Sequence, residues 1–247
     1  IQFAIQGHNL YVLEVNPRSS RTVPFVAKAS GIPLARIAAR LTLGEKLKDL
    51  TIPPPNREYV SVKAPVFPFI KLRGLDPAPG PEMKSTGEVM GSDVDAAVAY
   101  LKARMATEIP VNTEGGVYLT VREGDKQDLI PIAADFAKMG FKIHATPGTA
   151  HVLRDAGVEC FIAYRIAENK SPDALGLMRK GEIQFIVNVP TISGGAVRDG
   201  NMMRRLAVEM NIPFVTTMRG AKMEVAAIAA ALKGPTTPRH LLYTPTK

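Results

Sequence analysis

The sequence predicts an α/β protein whose carboxyl-terminal half is a three-layer domain built around a five-stranded parallel sheet. Beyond roughly residue 110, short runs rich in β-branched and aromatic residues alternate with longer runs of helical period. Most of the strand-like runs are apolar throughout, the pattern of a sheet covered on both faces. The front of the chain differs: apolar residues alternate on either side of Gly7, His8 and Asn9, which predicts a β-hairpin with strands at residues 1–6 and 10–16.

In the second hairpin strand Tyr11, Leu13 and Val15 share one face, while Val12, Glu14 and Asn16 share the other. Pro17 ends the strand. Pairing in register about the turn also brings Gln2 to the Glu14 face. One carboxylate and two amide oxygens are hard donors suited to Mg²⁺ or Mn²⁺. Arg18 and Arg21 fall on one side of the next turn, where planar guanidinium groups suit phosphate oxygens. The same spacing also suits a sheet edge at which Glu14 pairs with Arg18 or Arg21 and binds nothing.

After the hairpin, TVPFVAKAS stops at Gly31 and Pro33 opens LARIAARLTLGEKL, which predicts two short helices around a Gly-Ile-Pro break. Residues 51–87 are punctuated by Pro and Gly and are expected to be extended, tethered backbone with one strand-like run, YVSVKAPVFPF. Ser92 is expected to cap DVDAAVAYLKARM, a helix placed to bridge two domains. The regular half follows. Its strands are VYLTVR (117–122), FKIHAT (141–146), CFIAYRI (160–166), FIVNVP (185–190) and FVTTM (214–218). Its helices are DKQDLIPIAADFAKM, TAHVLRDA, PDALGLMRKG, NMMRRLAVEM and AKMEVAAIAAALK. Five β/α repeats predict a Rossmann-like arrangement, in which ligands bind beyond the carboxyl ends of the strands.

Residues at those ends are therefore the candidates for a second site. Lys126 follows the first strand; Thr146 and Thr149 follow the second, with Gly148 at the start of a helix; Arg165 ends the third and Asn188 the fourth. Free N–H groups, hydroxyls and cations make a phosphate seat. Taken singly, Thr149 also reads as a helix cap, Asn188 as a turn anchor, and Lys126 and Arg165 as solvated charges.

The composition narrows the alternatives. The 247 residues carry 31 Lys and Arg against 23 Asp and Glu, a formal charge of +8. The excess is spread along the chain without a basic block, so small anions explain it better than nucleic acid. Cys160 is the only cysteine, which rules out an internal disulfide and points to a reducing compartment, the cytosol. No apolar run is long enough to span a membrane. Neither phosphate-loop nor dinucleotide-binding glycine motifs occur, Cys160 and the four histidines lack zinc spacing, and there is no nucleophile elbow. His144 and His151 flank the ATPGTA turn, close enough for one to touch a ligand, although a helix-surface histidine is the better reading. Ile1 lies inside a strand, and a lone hairpin is marginal in water, so the chain is expected to be a fragment whose sheet continues upstream.

Gln2, LEVNPRSSRTVPFVAKASGIPLARIAAR, GPEMKSTGEVMG, VREGDK and HATPGTA together resemble the carboxyl-terminal part of the large subunit of carbamoyl phosphate synthetases, nearly end to end. The resemblance implies that residues 1–85 are the tail of an ATP-grasp domain that phosphorylates carbamate with ATP. It implies a connecting helix over 86–109 and, over 110–247, a regulatory domain related to methylglyoxal synthase. Carried over by position, Gln2, Glu14 and Asn16 match Mg²⁺/Mn²⁺ ligands, and Arg18 and Arg21 match catalytic arginines beside them. Lys126, Thr146, Thr149 and Asn188 match residues that hold nucleotide effectors in bacterial members, and Arg165 stands where those members carry lysine. Val189-Pro190 replaces Thr-Thr, Phe214 replaces a tyrosine, and Ala64 replaces a glutamate near an ornithine site. The implied partners are the upstream part of the same subunit, a glutamine amidotransferase small subunit and further copies in an oligomer. Two other readings stay open: a free anion-sensing domain, and a methylglyoxal synthase-like lyase, for which Asp173 is the nearest acid.

Overall fold

The computed structural model describes residues 1–68, 77, 84–190 and 195–238. Apart from Pro77, the stretch 69–83, expected as extended backbone, lies outside the described residues. The chain forms two compact units, Ile1–Val60 and Ser61–Thr237.

In the first unit, β1 (Gln2–Gln6) and β2 (Asn9–Glu14) pair antiparallel, as the alternation predicts. Gly7 takes φ +59°, the left-handed conformation favoured at the first position of a two-residue hairpin turn. Helices α1 (Thr22–Ser30) and α2 (Leu34–Thr42) follow and pack together. Gly31, at φ 73°, supplies the left-handed cap that ends α1. No residue from 1 to 60 is buried. Phe3, Ile5, Leu10, Val12, Leu13 and Val15 are all exposed, so apolar side chains crowd the hairpin without a core of their own.

The second unit begins with a two-stranded sheet, β3 (Val60–Val66) with β4 (Gly87–Asp93), followed by α3 (Ala96–Met105). Two expectations need correcting here. β4 contains two glycines, which depress strand propensity, and it is a strand that periodicity misses. Because β4 runs on to Asp93, α3 starts later than expected. Its cap is Asp95, whose carboxylate accepts from the N–H groups of Ala97 and Val98 at 2.7 and 3.1 Å, while the Ser92 hydroxyl bonds that of Ser61. Gly91 allows α3 to lie directly on the strand: an added Cβ would stand 2.1 Å from the Ala99 carbonyl oxygen.

The remaining elements alternate as predicted. They are β5 (Gly116–Thr120), α4 (Lys126–Lys138), β6 (Lys142–Ala145), α5 (Pro147–Asp155), β7 (Phe161–Ile162), α6 (Ala174–Arg179), β8 (Phe185–Asn188), α7 (Gly195–Glu209), β9 (Phe214–Val215) and α8 (Met218–Leu232). The five strands are all parallel in the order β7-β6-β5-β8-β9. Side-chain alternation along β5 explains the three layers. Val117 and Leu119 pack under Leu129, Phe136, Leu153 and Ile228 of α4, α5 and α8, while Tyr118 packs on the opposite face with Met178 of α6 and Met203 of α7. The strand order reverses between β5 and β8, so their carboxyl ends, where Thr120 lies opposite Asn188, form the topological switch point.

Candidate functional site

On the hairpin, the register runs Gln6↔Asn9 through Phe3↔Val12 and then shifts, pairing Gln2 with Glu14 and skipping Leu13. This corrects the expectation that in-register pairing brings Gln2 to the Glu14 face: regular pairing would have set Gln2 against Leu13, on the far face. The bulge re-aims the strand end and makes Glu14 the backbone partner of Gln2. Asn16 joins them: its Nδ2 donates to Glu14 Oε1 at 2.9 Å. The sequence grouping of Gln2, Glu14 and Asn16 is thus a spatial grouping, reached by an irregularity that the alternation does not encode.

Arg18 follows in a turn closed by its own N–H to the Asn16 carbonyl at 2.8 Å, and Arg21 stands at the start of α1. The Arg18 guanidinium donates to the Ser19 carbonyl at 3.3 Å. Among the described residues neither arginine forms an ion pair, and Glu14 accepts from Asn16 instead. The Glu14 ion pair with Arg18 or Arg21 that a plain sheet edge would use is thus not formed among the described residues. A carboxylate with two side-chain amides on neighbouring positions offers hard oxygens of the kind Mg²⁺ or Mn²⁺ takes, though with a single negative charge. Among the described residues no cluster of three or more His, Cys, Asp or Glu is placed to hold a metal.

On the sheet rim, the predicted residues fall into two groups. Lys126 opens α4, and its half-buried side chain reaches over the first turn of α5: a Cβ on Gly148 would stand 3.1 Å from Lys126 Nζ. That ammonium pairs with the exposed Glu123 at 2.5 Å. Thr146 precedes α5 in extended conformation, and its Oγ1 donates to Thr149 Oγ1 at 3.1 Å, both side chains being buried. Thr149 lies inside α5 and is not its cap, and the Thr146 side chain caps nothing. One cation, two hydroxyls and a helix start therefore converge.

Arg165 and Asn188 belong to the second group; Asn188 ends β8 as expected, whereas β7 stops at Ile162, so Arg165 lies beyond the strand it was expected to end. They line a cleft of about 60 Å³ at the switch point together with Tyr118, Thr120, Pro190 and Asp199. Burial raises the Tyr118 phenol well above its ordinary pKa, so it stays a neutral hydroxyl. The Asp199 carboxylate accepts from the Ala167 N–H at 3.1 Å. Sequence reasoning missed Tyr118, Thr120 and Asp199. Thr120 was recoverable as the last residue of β5, whereas Asp199 precedes the predicted run NMMRRLAVEM and is helical only because α7 starts earlier, at Gly195. Neither histidine reaches the rim groups: His151 pairs with Asp155 at 3.4 Å on the surface, and His144 is buried beside Phe161, ring centroids 5.6 Å apart.

Residues 128–216 match the family model described as "MGS-like domain", and residues 1–50 match that described as "Carbamoyl-phosphate synthase L chain, ATP binding domain". Over 248 aligned residues the chain is 43% identical to the "Carbamoyl phosphate synthase large chain, C-terminal section" of Methanocaldococcus jannaschii, covering 95% of this chain and 40% of that one. The "Carbamoyl phosphate synthase large chain" of Methanosarcina barkeri is 44% identical over 95% of this chain and 58% of its own length. The protein of the same description from Archaeoglobus fulgidus is 46% identical, with 93% and 21% covered. The chain thus spans less than two thirds of the length of each of these relatives. It belongs to the carbamoyl phosphate synthase large-chain family and corresponds to the carboxyl-terminal part of such a chain.

Proposed function

We propose that the chain acts as the carboxyl-terminal part of the large subunit of a glutamine-dependent carbamoyl phosphate synthetase, helping to phosphorylate carbamate with ATP and binding an anionic effector on its parallel-sheet domain. The observation that carries the catalytic half is the bulge that sets Gln2 opposite Glu14, with Asn16 bonded to the same carboxylate. These three residues would hold Mg²⁺ or Mn²⁺. When bound, the ion neutralises charge on the phosphates of ATP. Arg18 and Arg21, with no carboxylate partner among the described residues, would bind the phosphoryl oxygens and stabilise the charge that spreads over them during transfer.

The exposed apolar side chains on the hairpin support completion of its sheet by the upstream part of the same subunit. Ammonia would come from an amidotransferase small subunit, and the assembled enzyme is expected to be oligomeric. The convergence of Lys126, Thr146 and Thr149 at the start of α5 supports the effector role, with Arg165 and Asn188 on the adjoining cleft. A lone, buried Cys160 supports a cytosolic setting, and among the described residues no helix is long and apolar enough to cross a membrane. A lyase reading would make Asp173 the base, but its carboxylate caps α6 through the Gly176 N–H at 2.9 Å.

The test is Glu14→Gln in the full-length enzyme. It should abolish ATP formation from carbamoyl phosphate and ADP, which reports carbamate phosphorylation, and spare bicarbonate-dependent ATP hydrolysis. Survival of both at ordinary metal concentrations would show that Glu14 is structural.

A further inference from the structure

Helix α7 carries a buried arginine that sequence reasoning assigned to no site. Arg204 is 2% exposed, and its Nη1 donates to Asn188 Oδ1 at 2.5 Å, while its other amino group bonds the Asn201 side-chain oxygen. Gly200, one turn earlier, leaves the space. A Cβ there would stand 2.8 Å from Arg204 Nη1 and 3.3 Å from Asn188 Oδ1. A guanidinium has donors only, so the atom of Asn188 turned toward Arg204 has to be its oxygen. The amide nitrogen, with two hydrogens, is what remains for the cleft that Asn188 lines.

We propose that Arg204 is a positioning residue that locks Asn188 as a hydrogen-bond donor, so that the cleft between β5 and β8 selects ligands presenting an anionic oxygen there. This rests on the effector reading above and adds the polarity of one wall of the site. The guanidinium behind the amide also polarises it, which strengthens its outward N–H groups. Arg165, on the same cleft, has the same sign of preference. Asp199 is the opposing charge, and its Oδ2 is engaged by the Ala167 N–H.

Asn188→Asp tests the assignment on the complete chain. One aspartate oxygen keeps the contact with Arg204, now as an ion pair, and the other replaces the outward donor with a negative acceptor. Calorimetric titration with inorganic phosphate and with UMP should show affinity falling by about a hundredfold, with the melting temperature unchanged or higher. A merely structural asparagine would not separate binding from stability in this way. Affinity within threefold of wild type would overturn the assignment and leave the effector site standing. Failure of the wild-type chain to bind either ligand at millimolar concentration would overturn both. Should Asn188→Asp not fold, Arg204→Lys decides: with one donor group in place of the fork, affinity should fall by about tenfold, and unchanged affinity refutes the role.

Discussion

Lys126→Ala should separate ligand binding from stability, and the structure says by how much. The ammonium lies beside Gly148 at the first turn of α5, near the Thr146–Thr149 hydroxyl pair. A charge-assisted contact of this kind is worth about 1.5–3 kcal/mol, so phosphate or UMP affinity should fall by roughly ten- to a hundredfold. The cost to the fold is smaller. The partner of Lys126 is Glu123, whose side chain is 85% exposed, and such a pair contributes about 1 kcal/mol or less. The melting temperature should therefore drop by only about 2–4 °C. Gly148→Ala supplies a graded control. Its Cβ would sit 3.1 Å from Nζ, so the flexible end of the lysine must shift by a few tenths of an ångström, and a severalfold loss is expected. Calorimetric titration of the complete chain measures both. The reasoning is refuted if Lys126→Ala binds phosphate as wild type does, or if its lost affinity is matched by wholesale loss of stability.

The isolated chain should form no carbamoyl phosphate from MgATP, bicarbonate and ammonia; measurable product would contradict the catalytic reading. UMP and IMP should bind within about tenfold of each other, because Pro190 has no N–H and the Val189 N–H is spent on the Thr120 carbonyl at 3.0 Å; a hundredfold preference measured by calorimetry would show that other contacts read the base. Gly91→Ala should destabilise the second unit by about 1–3 kcal/mol in urea melts, since its Cβ would meet the Ala99 carbonyl oxygen at 2.1 Å and the Ala103 nitrogen at 2.4 Å, both fixed in the backbone of α3. Burial holds the pKa of His144 below its usual 6.5, against an opposing pull from Glu182 and with a smaller push from Lys142. The unfolded chain then binds the proton more readily, so stability should fall as pH drops below about 6.5, and His144→Gln should flatten that slope. An unchanged slope in the variant would exclude His144 as its source.

Most of the second unit was legible because its signals are local. Apolar strands, helical period and the ATPGTA turn are each read within a few residues, and together they put Thr146 and Asn188 at strand ends, with Lys126, Thr149 and Arg165 in the segments that follow. Within the first unit, Gly31 and Pro33 marked the helix break for the same reason. Apart from Thr120, which a strand end marked, the misses depend on contacts distant in sequence. The bulge at Leu13 has no glycine to announce it; it exists only in the pairing of Gln2 with Glu14. The extension of β4 past Ser92, and with it the transfer of the cap to Asp95, requires β3 as a partner. Arg204 looked like one of several basic residues on a helix, and its reach to Asn188 depends on α7 lying against the end of β8 and on the missing side chain at Gly200.

The two candidate sites differ in how far the chain itself organises them, and that difference bears on function. Thr146, Thr149 and Asn188 are buried, and Asn188 is held by the buried Arg204, so most donors of the rim site stand in fixed positions before a ligand arrives. Such preorganisation reduces the entropy lost on binding. On the hairpin, every donor is exposed and the only side-chain bond among the three residues is Asn16 to Glu14. A single exposed carboxylate with two amides binds a divalent ion weakly, because neither charge nor rigidity repays dehydration of the metal. The rim site should accordingly function within this chain, as a sensor. On the proposed reading the hairpin would become a metal site only when other protein covers its apolar faces and adds further carboxylate or phosphate oxygens, which would tie the chemistry of the first unit to assembly of the whole enzyme.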